Sequence, residues 1–181
     1  MSVTIKRKGY GQVEPNHLSA QYTGQIYAQL PAKDTEGVAI PQLENGHFLK
    51  YNYANDRAGL DGDGEWMLVY CEEKLYDERR QNHKDFVLKN TDMADKLIYP
   101  RLLKTNIGDI FTTNTFGGEG VGYDTEVATA ITLQKGDKLV VGTTGFLEKA
   151  TGEDLAAPVF QVVQEHTMPD MQKAVKIQRI Q

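Results

Sequence analysis

The chain has 181 residues, of which 40% are hydrophobic, and its 20 basic and 25 acidic residues leave a formal net charge of −5. This length fits one domain of ordinary size or two small lobes that share a core. The acidic balance argues against sequence-independent binding of nucleic acid, which needs a basic face, and no stretch approaches the roughly 20 apolar residues of a membrane-spanning helix.

Residues 1–36 are predicted to form an extended N-terminal arm. They are rich in Gln, Tyr, Gly and Asn and carry only scattered aliphatic residues, so they have little apolar surface to bury against one another. Tyrosine offers a large contact area at a small entropic cost. We therefore expect the arm to become ordered on another surface, either a neighbouring subunit or the rest of the chain. The residues expected to make this contact are Ile5, Tyr10, Tyr22 and Tyr27.

Residues 37–130 are predicted to form a β-rich first lobe. A strong turn signal, Glu-Asn-Gly, occupies residues 44–46. Apolar and polar residues alternate over 48–53 as in a strand, and the continuous apolar run 66–71 is predicted to be a core strand. The highly charged residues 72–85 are predicted to be a solvated excursion, because their apolar stripe is too thin for a packed helix.

Residues 131–181 are predicted to form a C-terminal β-meander. Short apolar runs are separated by Gly, Pro, Asp or charged residues, at 139–141, 146–147, 159–163 and 175–180. The loop Gly142-Thr143-Thr144-Gly145 predicts a hairpin, and Met168-Pro169-Asp170-Met171 predicts a second return of the chain.

A Gly-Asp pair recurs just ahead of two apolar runs, at Gly108-Asp109 and at Gly136-Asp137. Both pairs are predicted to turn the chain sharply so that the next strand enters its sheet. The fold predicted from these patterns is mainly β, a small barrel or sandwich that ends in a meander, with an extended N-terminal arm and long loops. The three parts are expected to share one core.

Phosphate, zinc and nucleophile motifs are not found in the sequence. The Gly-rich loop 117–122 lacks the lysine of a phosphate-binding loop, and no helical pattern follows it. The four histidines are isolated from one another, which argues against a zinc site. Neither Ser2 nor Ser19 occupies a nucleophile elbow. The single cysteine, Cys71, lies in an apolar run and is predicted to be a buried, inert thiol.

An acidic loop partly matches a calcium-binding template. Asp61, Asp63 and Glu65 occupy its first, third and fifth positions, but Trp66 stands where the template requires glycine. We therefore predict a hairpin loop with acidic tips, and whether it also binds Ca²⁺ stays open.

Three stretches carry a family resemblance. They are the opening residues 3–11, the Gly-Asp strand unit 136–141 with the Gly-aromatic-Leu unit 145–149, and the two closing strands within 159–180. In these stretches the chain resembles the head decoration proteins (auxiliary capsid or cement proteins) of tailed bacteriophages and related virion structural proteins. The strand pattern covers about the last third of the chain.

The resemblance implies a non-enzymatic role without cofactors, in which the chain binds the outside of the capsid lattice and reinforces contacts between capsomers. Its expected partners are the major capsid protein or neighbouring virion subunits, with a symmetric homo-oligomer on the particle and with neither nucleic acid nor membrane bound. A basic N-terminus without a following apolar stretch argues against a secretory signal. The chain is therefore expected in the virion, after synthesis in the host cytoplasm.

Two alternatives remain open at this point. A tail, baseplate or head-fibre component would use similar β modules. A carbohydrate-binding or hydrolytic β domain is favoured if Trp66, Tyr51 and Tyr53 line an open face, although their alternation in predicted strands makes burial the expectation.

Overall fold

A computed structural model describes residues 2–7, 11–27, 30–71, 87–89, 97–116, 130–152 and 155–181, with the backbone alone described at residues 27 and 87–89. These residues contain fifteen strands, one helix, α1 (Ser19–Thr23), and one 3₁₀ turn, Tyr53–Asn55. The strands are β1 (Ser2–Ile5), β2 (Val13–His17), β3 (Ile26–Tyr27), β4 (Gln42–Glu44), β5 (Phe48–Asn52), β6 (Arg57–Gly59), β7 (Met67–Val69), β8 (Val87–Lys89), β9 (Leu102–Leu103), β10 (Ile110–Thr113), β11 (Ile131–Gln134), β12 (Lys138–Val141), β13 (Leu147–Lys149), β14 (Val159–Thr167) and β15 (Lys173–Arg179).

The predicted mainly β fold is confirmed. The strands form a six-stranded antiparallel sheet in the order β13-β12-β14-β15-β10-β2, a five-stranded sheet in the order β3-β9-β7-β5-β6, and the pairs β1-β11 and β4-β8. In the described part of the chain the sheets do not close into a barrel, and their arrangement is consistent with a sandwich.

Both C-terminal hairpins form where the sequence predicts them. Strand β12 returns as β13 through the loop 142–145, and β14 returns as β15 through the turn at 168–171. Strand β14 lies beside β12 rather than β13, so the chain crosses over between the two hairpins.

The two Gly-Asp pairs build the same turn. Gly108 and Gly136 both adopt a φ of +95°, which favours glycine. In each turn the aspartate carboxylate accepts a hydrogen bond from the backbone N–H three residues earlier, at 2.8 Å for Asp109 and 2.9 Å for Asp137. Strands β10 and β12 begin directly afterwards, so the prediction that this pair turns the chain into a strand is confirmed.

The buried apolar side chains form two cores. The first core lies against the six-stranded sheet and receives residues from all three predicted parts of the chain, including Val3, Ile5, Leu18, Ala20, Phe48, Phe111, Leu133, Phe160, Val175 and Ile177. The second core comprises Ala32, Ile40, Leu43, Leu49, Tyr51, Ala58, Met67, Val69, Ile98 and Leu102. The first core therefore contains residues from the parts predicted as arm, first lobe and meander.

The N-terminal segment is built into the fold instead of extending away from it. Strand β1 pairs with β11, β2 pairs with β10, and β3 pairs with β9. The described part of residues 1–36 therefore supplies strands to three sheets of its own chain. The predicted charged excursion 72–85 lies outside the described residues.

Candidate partner-binding surface

The four residues predicted to contact a partner have different surroundings. Tyr22 on α1 is 76% exposed. Ile5 is 1% exposed, because β1 alternates and directs Val3 and Ile5 into the first core. Ile5 therefore packs on its own domain, and the prediction that it contacts a partner is corrected. Tyr10 lies outside the described residues, and Tyr27 is described only as a backbone position in β3.

A buried carboxylate fixes the position of α1. Asp109 accepts hydrogen bonds from the Ser19 N–H at 3.0 Å and the Ser19 hydroxyl at 2.5 Å, in addition to the bond that closes its own turn. The Asn106 amide group donates to the Ser19 hydroxyl and to the Gln25 side chain, both at 3.0 Å. Leu18 and Ala20 bury the inner side of this segment in the first core. The helix is thus held to the turn at 106–109 by polar and apolar contacts together.

Segments that hydrogen-bond to one another at this attachment carry large apolar side chains that remain in solvent. Ile107, at the tip of the turn, is 73% exposed, and Ile180 is 37% exposed. Ile180 belongs to the same region because the Gly108 N–H donates to the Arg179 carbonyl at 2.9 Å. We call residues 17–25, 106–109 and 179–181 the α1 corner.

The corner extends beyond what the sequence indicated. Tyr22 was predicted as a contact residue, whereas Ile107 and Ile180 were not. An isoleucine at the tip of a Gly-Asp turn was the one local signal, because such a position is normally polar.

A second group of polar residues is buried inside the fold. The Arg7 guanidinium pairs with the Glu44 carboxylate, and both side chains are almost fully buried, at 2% and 4% exposure. Glu44 also accepts the Gly11 N–H at 2.6 Å. The His47 ring donates from Nε2 to the Thr144 carbonyl at 2.8 Å. We call these five residues, together with Phe146, the Arg7 hub.

The ring of Phe146 completes the hub. It stacks on His47 with ring centroids 4.4 Å apart, and the Arg7 guanidinium lies 5.6 Å from its centroid. Burial lowers the pKa of His47 to about 4, although the hydrogen bond to Thr144 and the charge of Glu44 act to raise it. The imidazole is therefore neutral at pH 7, and the hub holds one positive and one negative charge.

The acidic loop does not assemble a metal site among the residues that the structure describes. The Asp61 carboxylate is neutralised by Arg57 at 2.5 Å and accepts a hydrogen bond from Asn52 at 3.1 Å. Hydrogen bonding by Arg57 lowers the pKa of Asp61 most strongly. Asp63 is exposed. Asp61 therefore serves to join the loop to its neighbours.

The aromatic residues that would favour a carbohydrate site do not form one open face. Tyr51 is buried in the second core, and Trp66 packs against the first. The Lys50 ammonium lies 4.7 Å from the centroid of the Trp66 ring. Of these three residues only Tyr53 is exposed. Trp66, Tyr51 and Tyr53 therefore do not line the open face that would favour a carbohydrate-binding or hydrolytic domain.

The lone cysteine, predicted to be a buried and inert thiol, is less buried than predicted. Cys71 is partly buried, and burial raises the pKa of its thiol while Arg101 acts in the opposite direction. A thiol that stays protonated at neutral pH is a poor nucleophile.

An open cleft of about 370 Å³ lies where the β14–β15 hairpin approaches β1, and it is lined by Val3, Glu165, His166, Thr167 and Lys173. His166 contacts Glu14 at 3.3 Å, and the Lys173 ammonium contacts the Thr167 hydroxyl at 3.4 Å. Because the lining contains one carboxylate, Glu165, beside His166 and the Lys173 ammonium, the cleft favours no single class of charged ligand.

No family model, curated protein or solved structure matches this chain. Among the described residues, no helix has the length and apolar character needed to cross a membrane.

Proposed function

We propose that this chain is a phage decoration protein, a non-enzymatic virion component that binds the outside of the capsid lattice and reinforces contacts between capsomers. The observation that carries the proposal is the α1 corner, where Tyr22 and Ile107 are more than 70% exposed on segments that hydrogen-bond to each other. The resemblance to decoration proteins described above supplies the choice of partner.

The corner has the properties of a contact surface. Tyrosine is enriched among the few residues that supply most of the binding energy at protein interfaces, and exposed apolar surface on a monomer marks interaction sites. The bonds from Asp109 and Asn106 hold α1 in place before any partner arrives, so little ordering entropy is lost on binding. Repetition of one modest contact around a symmetric shell would raise the overall affinity.

Co-sedimentation with purified empty heads of the phage that encodes the chain tests the proposal. The wild-type chain should pellet with heads at a saturable stoichiometry. Tyr22→Ser and Ile107→Ser should each weaken binding at least about 10-fold, as expected for central interface residues. The matched control is Tyr53→Ser, because Tyr53 is 69% exposed but follows β5, three strands away from β3 in the five-stranded sheet.

The possible results separate the candidate roles. Binding to heads that is lost in the two corner variants and kept in the control supports the proposal. Binding to isolated tails or baseplates instead of heads would assign the chain to those structures and overturn the decoration role. Equal binding by all variants would show that the corner is not the contact surface.

A further inference from the structure

We propose that His47 makes the Arg7 hub an acid-sensitive lock on the start of the N-terminal segment, residues 2–7 and 11–17. The inference is independent of the proposed function, because it concerns how the chain holds itself together.

Three separate stretches of the chain meet at the hub. The N-terminal segment supplies Arg7 and Gly11, the turn between β4 and β5 supplies Glu44 and His47, and the loop after β12 supplies residues 144–146. Backbone bonds join the second and third stretches directly, since the Phe48 N–H donates to the Gly145 carbonyl at 2.7 Å.

The loop 142–145 packs closely against His47. Gly145 has a φ of +80°, and a Cβ atom there would lie 2.7 Å from His47 Nε2 and 2.5 Å from the Phe48 carbonyl oxygen. His47 is fully buried, and its ring stacks on that of Phe146 in the residue that follows this loop. A change in its charge therefore cannot be screened by solvent.

Burial makes the hub sensitive to acid, because loss of hydration is the largest cause that lowers the pKa of His47. Among the hub residues, the charge of Glu44 favours the protonated imidazole, and the charge of Arg7 opposes it to a smaller extent. Nε2 already carries the proton that it donates to the Thr144 carbonyl, so acid would add the second proton to the ring at Nδ1. The imidazolium would then lie in a buried space, where the loss of hydration is costly, and it would compete with Arg7 for the Glu44 carboxylate.

The direction of the pH effect follows from linkage. His47 takes up a proton near 6.5 in the unfolded chain but only near 4 in the folded chain. The unfolded state therefore binds more protons between these values, and stability falls as the pH is lowered through this window. Between pH 7 and pH 5 the folded-to-unfolded ratio should fall roughly 20-fold from this residue alone.

The N-terminal segment should respond first. Arg7 is the cation that a protonated His47 would repel, and the Glu44 contacts to Arg7 and Gly11 tie this segment to the hub. The β14–β15 hairpin contributes no residue to the hub. We therefore expect the amides of β1 and β2 to lose protection at pH 5 before those of β15.

Urea unfolding at pH 7 and pH 5 tests the lock on the full chain. Between pH 7 and pH 5 the folded-to-unfolded ratio of the wild type should fall roughly 20-fold. His47→Gln can still donate a hydrogen bond to a carbonyl but does not titrate, so in this variant the fall should disappear. His17→Gln is the matched control, because His17 is exposed and its replacement should leave the loss in place. A wild type whose stability is unchanged, or a His47→Gln variant that keeps the full loss, overturns the proposal.

Two further measurements keep the test decisive if His47→Gln fails to fold. In the wild type, the His47 ring resonances should titrate near pH 4, and titration near 6.5 would overturn the proposal. Hydrogen exchange at pH 5, corrected for intrinsic rates, should show earlier opening of β1 and β2 than of β15. Simultaneous opening of all three strands would refute a lock that acts on the N-terminal segment.

Discussion

The buried pair of Arg7 and Glu44 gives the sharpest stability prediction. Arg7→Met removes the guanidinium and leaves a buried carboxylate whose remaining described donor is the Gly11 N–H. Glu44→Gln leaves the guanidinium buried next to Phe146 without its counter-charge. Because both partners are at most 4% exposed, each single change should cost about 3–5 kcal/mol of unfolding free energy.

The double variant distinguishes the interaction between Arg7 and Glu44 from the contacts that each residue makes with the rest of the chain. Arg7→Met combined with Glu44→Gln leaves no isolated charge, so it should cost less than the sum of the single losses, with a coupling energy of about 2–3 kcal/mol. Urea unfolding at pH 7, followed by the fluorescence of the single tryptophan and by circular dichroism, measures all four chains. Single losses below about 1 kcal/mol, or losses that add in the double variant, would refute the buried pair as described.

Three further changes test neighbouring contacts. Gly11→Ala should cost roughly 1–3 kcal/mol in thermal or urea unfolding, because the new methyl group would overlap the Thr115 side chain. Asp109→Ala should cost about 1–3 kcal/mol by leaving buried donors at the start of α1 unpaired, and it should also weaken binding to heads. Burial acts to raise the pKa of Asp137, but hydrogen bonds, first from Lys149, hold it below its usual value. In Lys149→Met an NMR titration should find that pKa higher, and less stability should be lost as the pH falls through it.

Local sequence signals predicted the C-terminal half of the fold well. The loop at 142–145, the turn at 168–171 and the two Gly-Asp turns each depend on residues within a few positions of one another. Their geometry is set by glycine, proline and aspartate chemistry that is visible without any knowledge of the rest of the chain.

The placement of the N-terminal segment could not be predicted in this way. Its strands are short, and the partners of β1 lie more than 100 residues away, as in the pairing of Ile5 with Ile131. The sequence also does not show which acidic residue pairs with Arg7. The sequence therefore left open whether this segment becomes ordered on a neighbouring subunit or on its own chain, and long-range pairing with β11, β10 and β9 joins it to its own chain.

The candidate surface was predicted only in part for the same reason. Tyr22 is a large aromatic residue in a polar segment, and this was visible in the sequence. The attachment of its helix to the turn that carries Ile107 depends on the Ser19–Asp109 contact across 90 residues, which no local pattern encodes. The surface thus became apparent only when the tertiary contacts were known.

Residue-resolved hydrogen exchange on the free chain and on the head-bound chain distinguishes an N-terminal segment that is folded into its own chain from one that folds on a partner. We expect the amides of β1 and β2 to be protected already in the free chain, and binding to add protection at residues 17–25 and 106–109. Amides of β1 and β2 that exchange freely in solution and become protected only on the head would contradict this expectation, because the N-terminal segment would then be a binding arm.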